Sequence, residues 1–130
     1  MTPTHHSLRV LVVDDEPLIR WSIAEILNHR GHTVVEAPSA SGARAVMTDL
    51  TEPIDVVLLD LRLPDSDDLK LLAEVRRRMP QSAIILMTSF GTPELAQGAL
   101  RLGAHRVIGK PFDMDDVETL VRSAYQARLH

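Results

Sequence analysis

The chain has no cysteine, and its 130 residues include only one Trp, one Tyr and two Phe. Without cysteine, neither a disulfide framework nor a thiolate zinc site can form. No apolar run approaches the roughly 20 residues that a membrane-spanning helix needs. The first residues also lack the apolar core of a signal peptide. These absences fit a reducing compartment, and we expect a cytoplasmic protein with no membrane partner.

Basic charge is also scarce, since the net charge is −4 at pH 7. A surface that binds nucleic acid is normally basic, so we expect no direct nucleic-acid binding by this chain. The hydrophobic content of 45% and charged content of 25% are ordinary for a soluble globular protein. The length suits one domain. We predict a disordered leader over residues 1–7 and a single domain over residues 8–130.

Short apolar runs alternate with segments of helical periodicity along the whole chain. Each run has the length of a buried strand, and the segments between them are long enough for helices of about three turns. This order predicts an α/β fold, with a parallel sheet covered by helices on both faces. Right-handed crossovers then bring all carboxyl ends of the strands to one edge. The predicted strands are 8–13, 33–36, 54–59, 83–87 and 106–108.

Polar side chains follow four of the five predicted strands directly. Ligands of such sheets bind outside the carboxyl ends of the strands, so we expect these side chains to form one site. The strand near residue 35 ends in Ala37-Pro38 and contributes no reactive group. The candidates are Asp14, Asp15, Glu16, Asp60, Thr88, Ser89 and Lys110.

Carboxylates gathered at one edge repel each other unless a cation lies among them, and oxygen ligands of this kind suit Mg²⁺. A carboxylate can also attack phosphorus and form an aspartyl phosphate. In that chemistry Asp60 is the nucleophile, Asp14 and Asp15 hold the metal, Lys110 neutralises phosphoryl oxygens and Thr88 donates a hydrogen bond. A simpler role exists for each acid alone: Asp15, for example, is placed to cap the helix that begins at Pro17.

Four segments resemble the signatures of response regulator receiver domains, in the same order and at the same spacing. They are LVVDDE (11–16), LLDLRLP (58–64), MTS (87–89) and GKPF (109–112). The resemblance implies a flavodoxin-like (βα)5 three-layer sandwich with strand order 2-1-3-4-5. It also implies a phosphoacceptor at Asp60, with Mg²⁺ bound by Asp14 or Asp15, by Asp60 and by the backbone carbonyl of Arg62. The Lys110-Pro111 bond is usually cis in this family.

The resemblance further implies a signalling domain that is not itself an enzyme. Its partners would be a histidine kinase as phosphodonor, and an output domain or downstream protein. Phosphorylation would change the surface of the fourth helix, fifth strand and fifth helix, through which a homodimer can form. The segments LIRWS (18–22) and FGT (90–92) look most like receivers of bacterial enhancer-binding transcription activators.

Two positions depart from the family pattern. Val107 stands where receivers usually carry the Tyr or Phe that swings inward on activation, and valine has one stiff torsion. Phe90 and His105 are near in sequence, but we expect both at the surface. Asp68 stands where Gly is common, so that Asp65, Asp67 and Asp68 crowd the predicted start of the third helix. The added negative charge predicts either slower phosphorylation or an altered loop.

These departures leave a second function open, a constitutive interaction module that keeps the fold without the switch. A phosphatase with an aspartyl intermediate usually has a second acid two residues after the nucleophile, where this chain has Arg62. A flavodoxin needs a hydroxyl-rich phosphate loop after the first strand, where the acids at 14–16 would repel the phosphate.

Overall fold

Five strands alternate with five α-helices in the computed structural model, which describes residues 7–128. Most of the predicted disordered leader lies outside the described residues. Ser7, its last residue, donates a hydrogen bond from its hydroxyl to the carbonyl of Gly31 at 2.8 Å. The strands are β1 (Arg9–Val13), β2 (Thr33–Ala37), β3 (Val56–Asp60), β4 (Ala83–Thr88) and β5 (Arg106–Gly109).

Each strand is followed by one helix, as the alternation of patterns predicts. A short 3-10 helix, Met114–Asp116, leads into the last one. The described part of the chain has no helix that combines the length and hydrophobicity of a membrane span. The helices are α1 (Pro17–His29), α2 (Ala40–Thr48), α3 (Lys70–Arg78), α4 (Pro93–Arg101) and α5 (Val117–Arg128).

All strand pairs are parallel, and the order across the sheet is β2-β1-β3-β4-β5. The fold is therefore the flavodoxin-like α/β sandwich that the sequence predicts. The chain reverses its direction of travel across the sheet between β1 and β3, where ligands of such folds bind.

Each face of the sheet carries its own apolar core, because successive side chains of a strand point to opposite faces. One core includes Leu11, Val57 and Ile84 and packs against residues of α2, α3 and α4. The other includes Val10, Val12, Val56, Leu58, Ile85 and Met87 and packs against residues of α1 and α5. Since β3 and β4 are buried on both faces, their sequences are apolar up to their last residues, Asp60 and Thr88.

Side-chain caps fix where several helices begin. The hydroxyl of Ser39 accepts from the amide of Gly42 at 2.9 Å, and that of Thr92 accepts from Leu95 at 3.1 Å. Asp113 caps the short 3-10 helix rather than α5 directly. The alternative role of Asp15 as a cap is wrong: no side chain caps α1.

The end of α3 is tied to the loop after α4 by Arg76. Its guanidinium donates to the carbonyls of Gly103 at 3.1 Å, Met79 at 2.8 Å and Ser82 at 2.5 Å. Gly103 has a φ of 104°, a backbone conformation that L side chains rarely adopt. The arginine run at 76–78 is thus only partly a solvated face, because its first member stabilises a turn.

Candidate functional site

The strand register brings the predicted site residues to one edge of the sheet. Val13 pairs with Leu59, so Asp14 and Asp60 follow side by side. Thr88 pairs with Gly109, and Lys110 comes one residue later. Asp14, Asp60 and Thr88 are buried, with 0%, 5% and 2% of their surfaces exposed. Buried polar groups at strand ends need partners, and this edge supplies them.

Lys110 lies at the centre of these acids. Its ammonium donates to Asp14 Oδ2 at 2.8 Å, to Glu16 Oε1 at 3.1 Å and to Asp60 Oδ2 at 3.2 Å. Burial alone would lower the pKa of Lys110, but the hydrogen bonds to Asp14 and Glu16 outweigh it and raise that pKa above its usual range. Lys110 is therefore charged at neutral pH. Its peptide bond to Pro111 is cis, as the resemblance implies.

The surroundings of Asp60 disfavour the ionised form of its carboxyl group. Burial, followed by the charge of Asp14, raises the pKa of Asp60 from 3.8 to about 6, although Lys110 acts in the opposite direction. The other carboxylate oxygen, Oδ1, accepts from the amide of Arg62 at 3.3 Å. The site thus contains more negative charge than its one lysine neutralises.

The excess of carboxylates fits a hard divalent cation. One oxygen from each of Asp14, Asp15, Glu16 and Asp60 lies within 4.8 Å of the others. Such an all-oxygen set, with exposed Asp15 and Glu16 open to solvent beside two buried acids, suits Mg²⁺, which keeps several of its waters. Arg62 lies two residues after Asp60, and its amide donates to Asp60 Oδ1, so its backbone is close to this group.

A cavity of about 240 Å³ opens over Asp60. Phe90 is 67% exposed at its rim, and the guanidinium of Arg62 lies 4.8 Å from the centre of the Phe90 ring. The hydroxyl of Thr88 accepts from the amide of Phe90 at 3.1 Å, which leaves the hydroxyl hydrogen free to donate. The cavity is lined by Asp15, Glu16, Asp60, Arg62, Ser89, Phe90 and Lys110.

The two departures from the family pattern also have defined positions. Val107 is half-buried against the core on the α4 side of the sheet, and Phe90 and His105 are exposed, as expected. Asp68 accepts from the amide of Lys70 at 2.9 Å, near the start of α3. Asp65 was predicted near the start of α3, but its carboxylate accepts hydrogen bonds at the beginning of α2 instead.

Two features of this region were not predicted from the sequence. The Arg62–Phe90 contact joins loops after different strands, and an Arg and an exposed aromatic far apart in the chain are a weak sequence signal. The contact between Asp65 and α2 joins residues 24 and 25 positions apart. Its only sequence signal is an acid after a proline, which equally fits an ordinary turn.

Residues 10–122 match the family described as the response regulator receiver domain. The chain belongs to this family. The regulatory protein AtoC of Escherichia coli is 36% identical over 118 residues, which are 91% of this chain and 25% of that protein. Sporulation initiation phosphotransferase F of Bacillus subtilis is 32% identical, over 88% of this chain and 90% of that protein.

A solved structure, the beryllofluoride-activated NtrC4 receiver domain dimer, superimposes with a TM-score of 0.83 and 30% identity, covering 92% of this chain and 98% of that one. The chain is thus a receiver domain of the two-component response regulators, a signalling family rather than a catalytic one. It spans about a quarter of the length of AtoC and 90% of the shorter Bacillus protein.

Proposed function

We propose that this receiver is a phosphorylation switch in which Asp60 accepts a phosphoryl group from a histidine kinase or a small phosphodonor. The observation that carries the proposal is the contact of one buried ammonium, on Lys110, with both Asp14 and Asp60. Phosphoryl transfer requires mostly positioning and charge neutralisation, and this edge combines a nucleophile, a cation and a hydroxyl.

Mg²⁺ would be held by Asp14 or Asp15, by Asp60 and by the backbone carbonyl of Arg62. Bound there, the ion neutralises and orients the phosphoryl oxygens. The donor set supports this assignment, because four carboxylates converge where only one lysine neutralises them.

In the transfer, an oxygen of Asp60 forms a bond to phosphorus while phosphorus loses its bond to the donor's imidazole nitrogen or leaving oxygen. Asp60 is ionised above a pKa of about 6, so its nucleophilic form dominates at pH 7. Lys110 stays charged throughout and pairs with the transferred oxygens. Thr88 then turns its free hydroxyl hydrogen toward the phosphoryl group, which moves the loop that leads into α4.

The surface of α4, β5 and α5 would transmit this change as a population shift. Leu100 and Leu102 are 50% and 38% exposed there, which supports a partner surface or a homodimer. The name of the NtrC4 structure describes a dimer of that receiver. The name of NtrC of Escherichia coli, which is 35% identical over 115 residues, describes a DNA-binding transcriptional regulator. We propose that the present domain is cytoplasmic and that, by this analogy, it controls an output domain or downstream protein in transcription regulation.

Val107 supports one alternative, a constitutive module that keeps the fold but has lost the switch. A half-buried valine at this position provides no aromatic ring to swing inward. The two functions differ in what phosphorylation does to the surface of α4, β5 and α5.

Incubation with acetyl phosphate and Mg²⁺, followed by intact-mass analysis, tests the transfer. We expect the wild type to gain one phosphoryl group, and neither Asp60→Ala nor the wild type in EDTA to gain it. Hydrogen exchange of α4 and β5 before and after phosphorylation tests the switch. A mass gain without any change in exchange supports the constitutive module, and equal labelling of Asp60→Ala refutes Asp60 as the acceptor.

A further inference from the structure

The loop between β3 and α3 folds back into a tight turn just after Arg62. The amide of Leu63 donates to the carbonyl of Ser66 at 2.8 Å, and the amide of Ser66 donates back at 3.3 Å. Pro64 and Asp65 form the tip, and proline favours such turns by fixing its φ. Leu63 is buried, with 7% of its surface exposed, so the turn is packed on one side. Whatever holds this turn also affects the backbone of Arg62.

Asp65 joins the tip of the turn to a distant helix. Its Oδ1 accepts from the amide of Ala40 at 2.8 Å, and its Oδ2 accepts from the amide of Ser41 at 2.9 Å. Both oxygens are therefore used at the beginning of α2, where free amides and the helix dipole favour an anion. These two hydrogen bonds, with Ser41 first, lower the pKa of Asp65. The contact is charge-assisted although its carboxylate faces solvent.

The far end of α2 is held as well. Arg44 donates to Glu74 of α3 at 2.9 Å. Arg78 of α3 donates both to Glu74 at 3.3 Å and to the hydroxyl of Thr48, the last residue of α2, at 3.1 Å. These contacts, and the burial of Ala43 and Met47 in the core, hold α2 through residues outside the turn. A turn tip that bonds to a fixed helix is itself fixed, so α2 provides the support and Asp65 the connection.

From these contacts we propose that Asp65 is a positioning residue for the phosphoacceptor site. By holding the turn on α2, it fixes the backbone of Arg62 and so the carbonyl that would bind Mg²⁺. The inference rests on the proposed function, since it concerns the same site. Partners that orient metal ligands from outside typically change metal affinity by about 10–100-fold.

The chain offers a matched control in Ser39. Its hydroxyl caps the same helix at Gly42, and no hydrogen bond of the described residues joins that hydroxyl to the turn. Asp65→Ala and Ser39→Ala therefore both remove a cap from α2, and only the first releases the loop. Asp65→Asn keeps one acceptor oxygen for one of the two amides.

Two measurements on the full chain test this inference. Calorimetric titration with Mg²⁺ alone should show about tenfold weaker binding for Asp65→Ala, an intermediate value for Asp65→Asn and no change for Ser39→Ala. Hydrogen exchange without metal should show faster exchange of the amides of residues 62–66 in Asp65→Ala, but not in Ser39→Ala.

Equal Mg²⁺ affinity and equal exchange of the turn in Asp65→Ala and Ser39→Ala would overturn the proposal and leave Asp65 as a cap only. If Asp65→Ala does not fold, the comparison of Asp65→Asn with Ser39→Ala decides. Failure of the wild type to bind Mg²⁺ would refute the proposed function instead, and the exchange of the metal-free turn would still decide whether Asp65 positions it.

Discussion

Asp60 is ionised at pH 7 at a cost to folding, so we predict that Asp60→Asn stabilises the metal-free protein. In the fold the pKa of Asp60 is raised from 3.8 to about 6, first by burial and then by the charge of Asp14. Each pKa unit corresponds to about 1.4 kcal/mol, which sets an upper limit of about 3 kcal/mol. Asparagine has nearly the same shape and carries no charge, while Lys110 keeps Asp14 as a partner at 2.8 Å.

The pH dependence of the stability difference between Asp60→Asn and the wild type tests whether the charge of Asp60 is its cause. Because the folded pKa is raised, the fold binds the proton more tightly than the unfolded chain, and the cost appears as pH rises from 3.8 to about 6. The gain from Asp60→Asn should therefore be largest at pH 7, about a third as large at pH 4.5, and close to zero below pH 3.5.

Urea denaturation followed by circular dichroism, in EDTA, measures the free energy of unfolding at each pH. Added Mg²⁺ should reduce the difference, because a ligand that binds only the folded wild type stabilises it by mass action. The reasoning would be refuted if Asp60→Asn were less stable than the wild type at pH 7, or if its gain in stability did not depend on pH. Either result would show that the negative charge of Asp60 does not destabilise the fold.

Two further predictions concern regions away from the phosphoacceptor. Glu118 is buried and accepts from His32 Nε2 at 2.9 Å, while His32 Nδ1 accepts from the amide of Leu8. Burial would raise the pKa of Glu118, but the hydrogen bond from His32 and the charge of Arg122 outweigh it and lower that pKa. Glu118→Gln should then lower the free energy of unfolding by about 1–3 kcal/mol at pH 7. This difference should shrink as pH falls through the folded pKa of Glu118. Urea titrations that show an equal difference at pH 3.5 and pH 7 would contradict the prediction. Gly103→Ala should cost about 1–3 kcal/mol in thermal or urea unfolding. A Cβ there would lie 2.3 Å from Arg76 Cδ, and a φ of 104° is a conformation that alanine rarely adopts. An unchanged stability would contradict both reasons.

The element order and the edge on which the site lies could be predicted because both are local in sequence. The apolar runs at β3 and β4 are continuous since both faces are buried. Hydroxyl residues are preferred at helix caps, and Ser39 and Thr92 cap α2 and α4 through hydrogen bonds that are local in sequence.

The hydrogen-bond partners of individual carboxylates could not be predicted in the same way. Asp15 looked like a cap by its place before Pro17, yet the oxygen that accepts from the amide of Glu16, at 2.9 Å, belongs to Asp14. Asp65 looked like part of the start of α3, yet it binds α2. A carboxylate can satisfy any nearby amide, so its partner depends on which helix end the fold brings within reach.

By itself, the sequence determined the α/β order, the parallel sheet and which residues stand at its carboxyl edge, because strand periodicity and right-handed crossovers leave little choice. The tertiary structure alone decided the interactions within that edge. The register sets Asp14 beside Asp60, and burial with Asp14's charge gives Asp60 its raised pKa. The chain path around β3 brings Asp65 to α2. These properties depend on distances between residues far apart in sequence, and only packing fixes such distances.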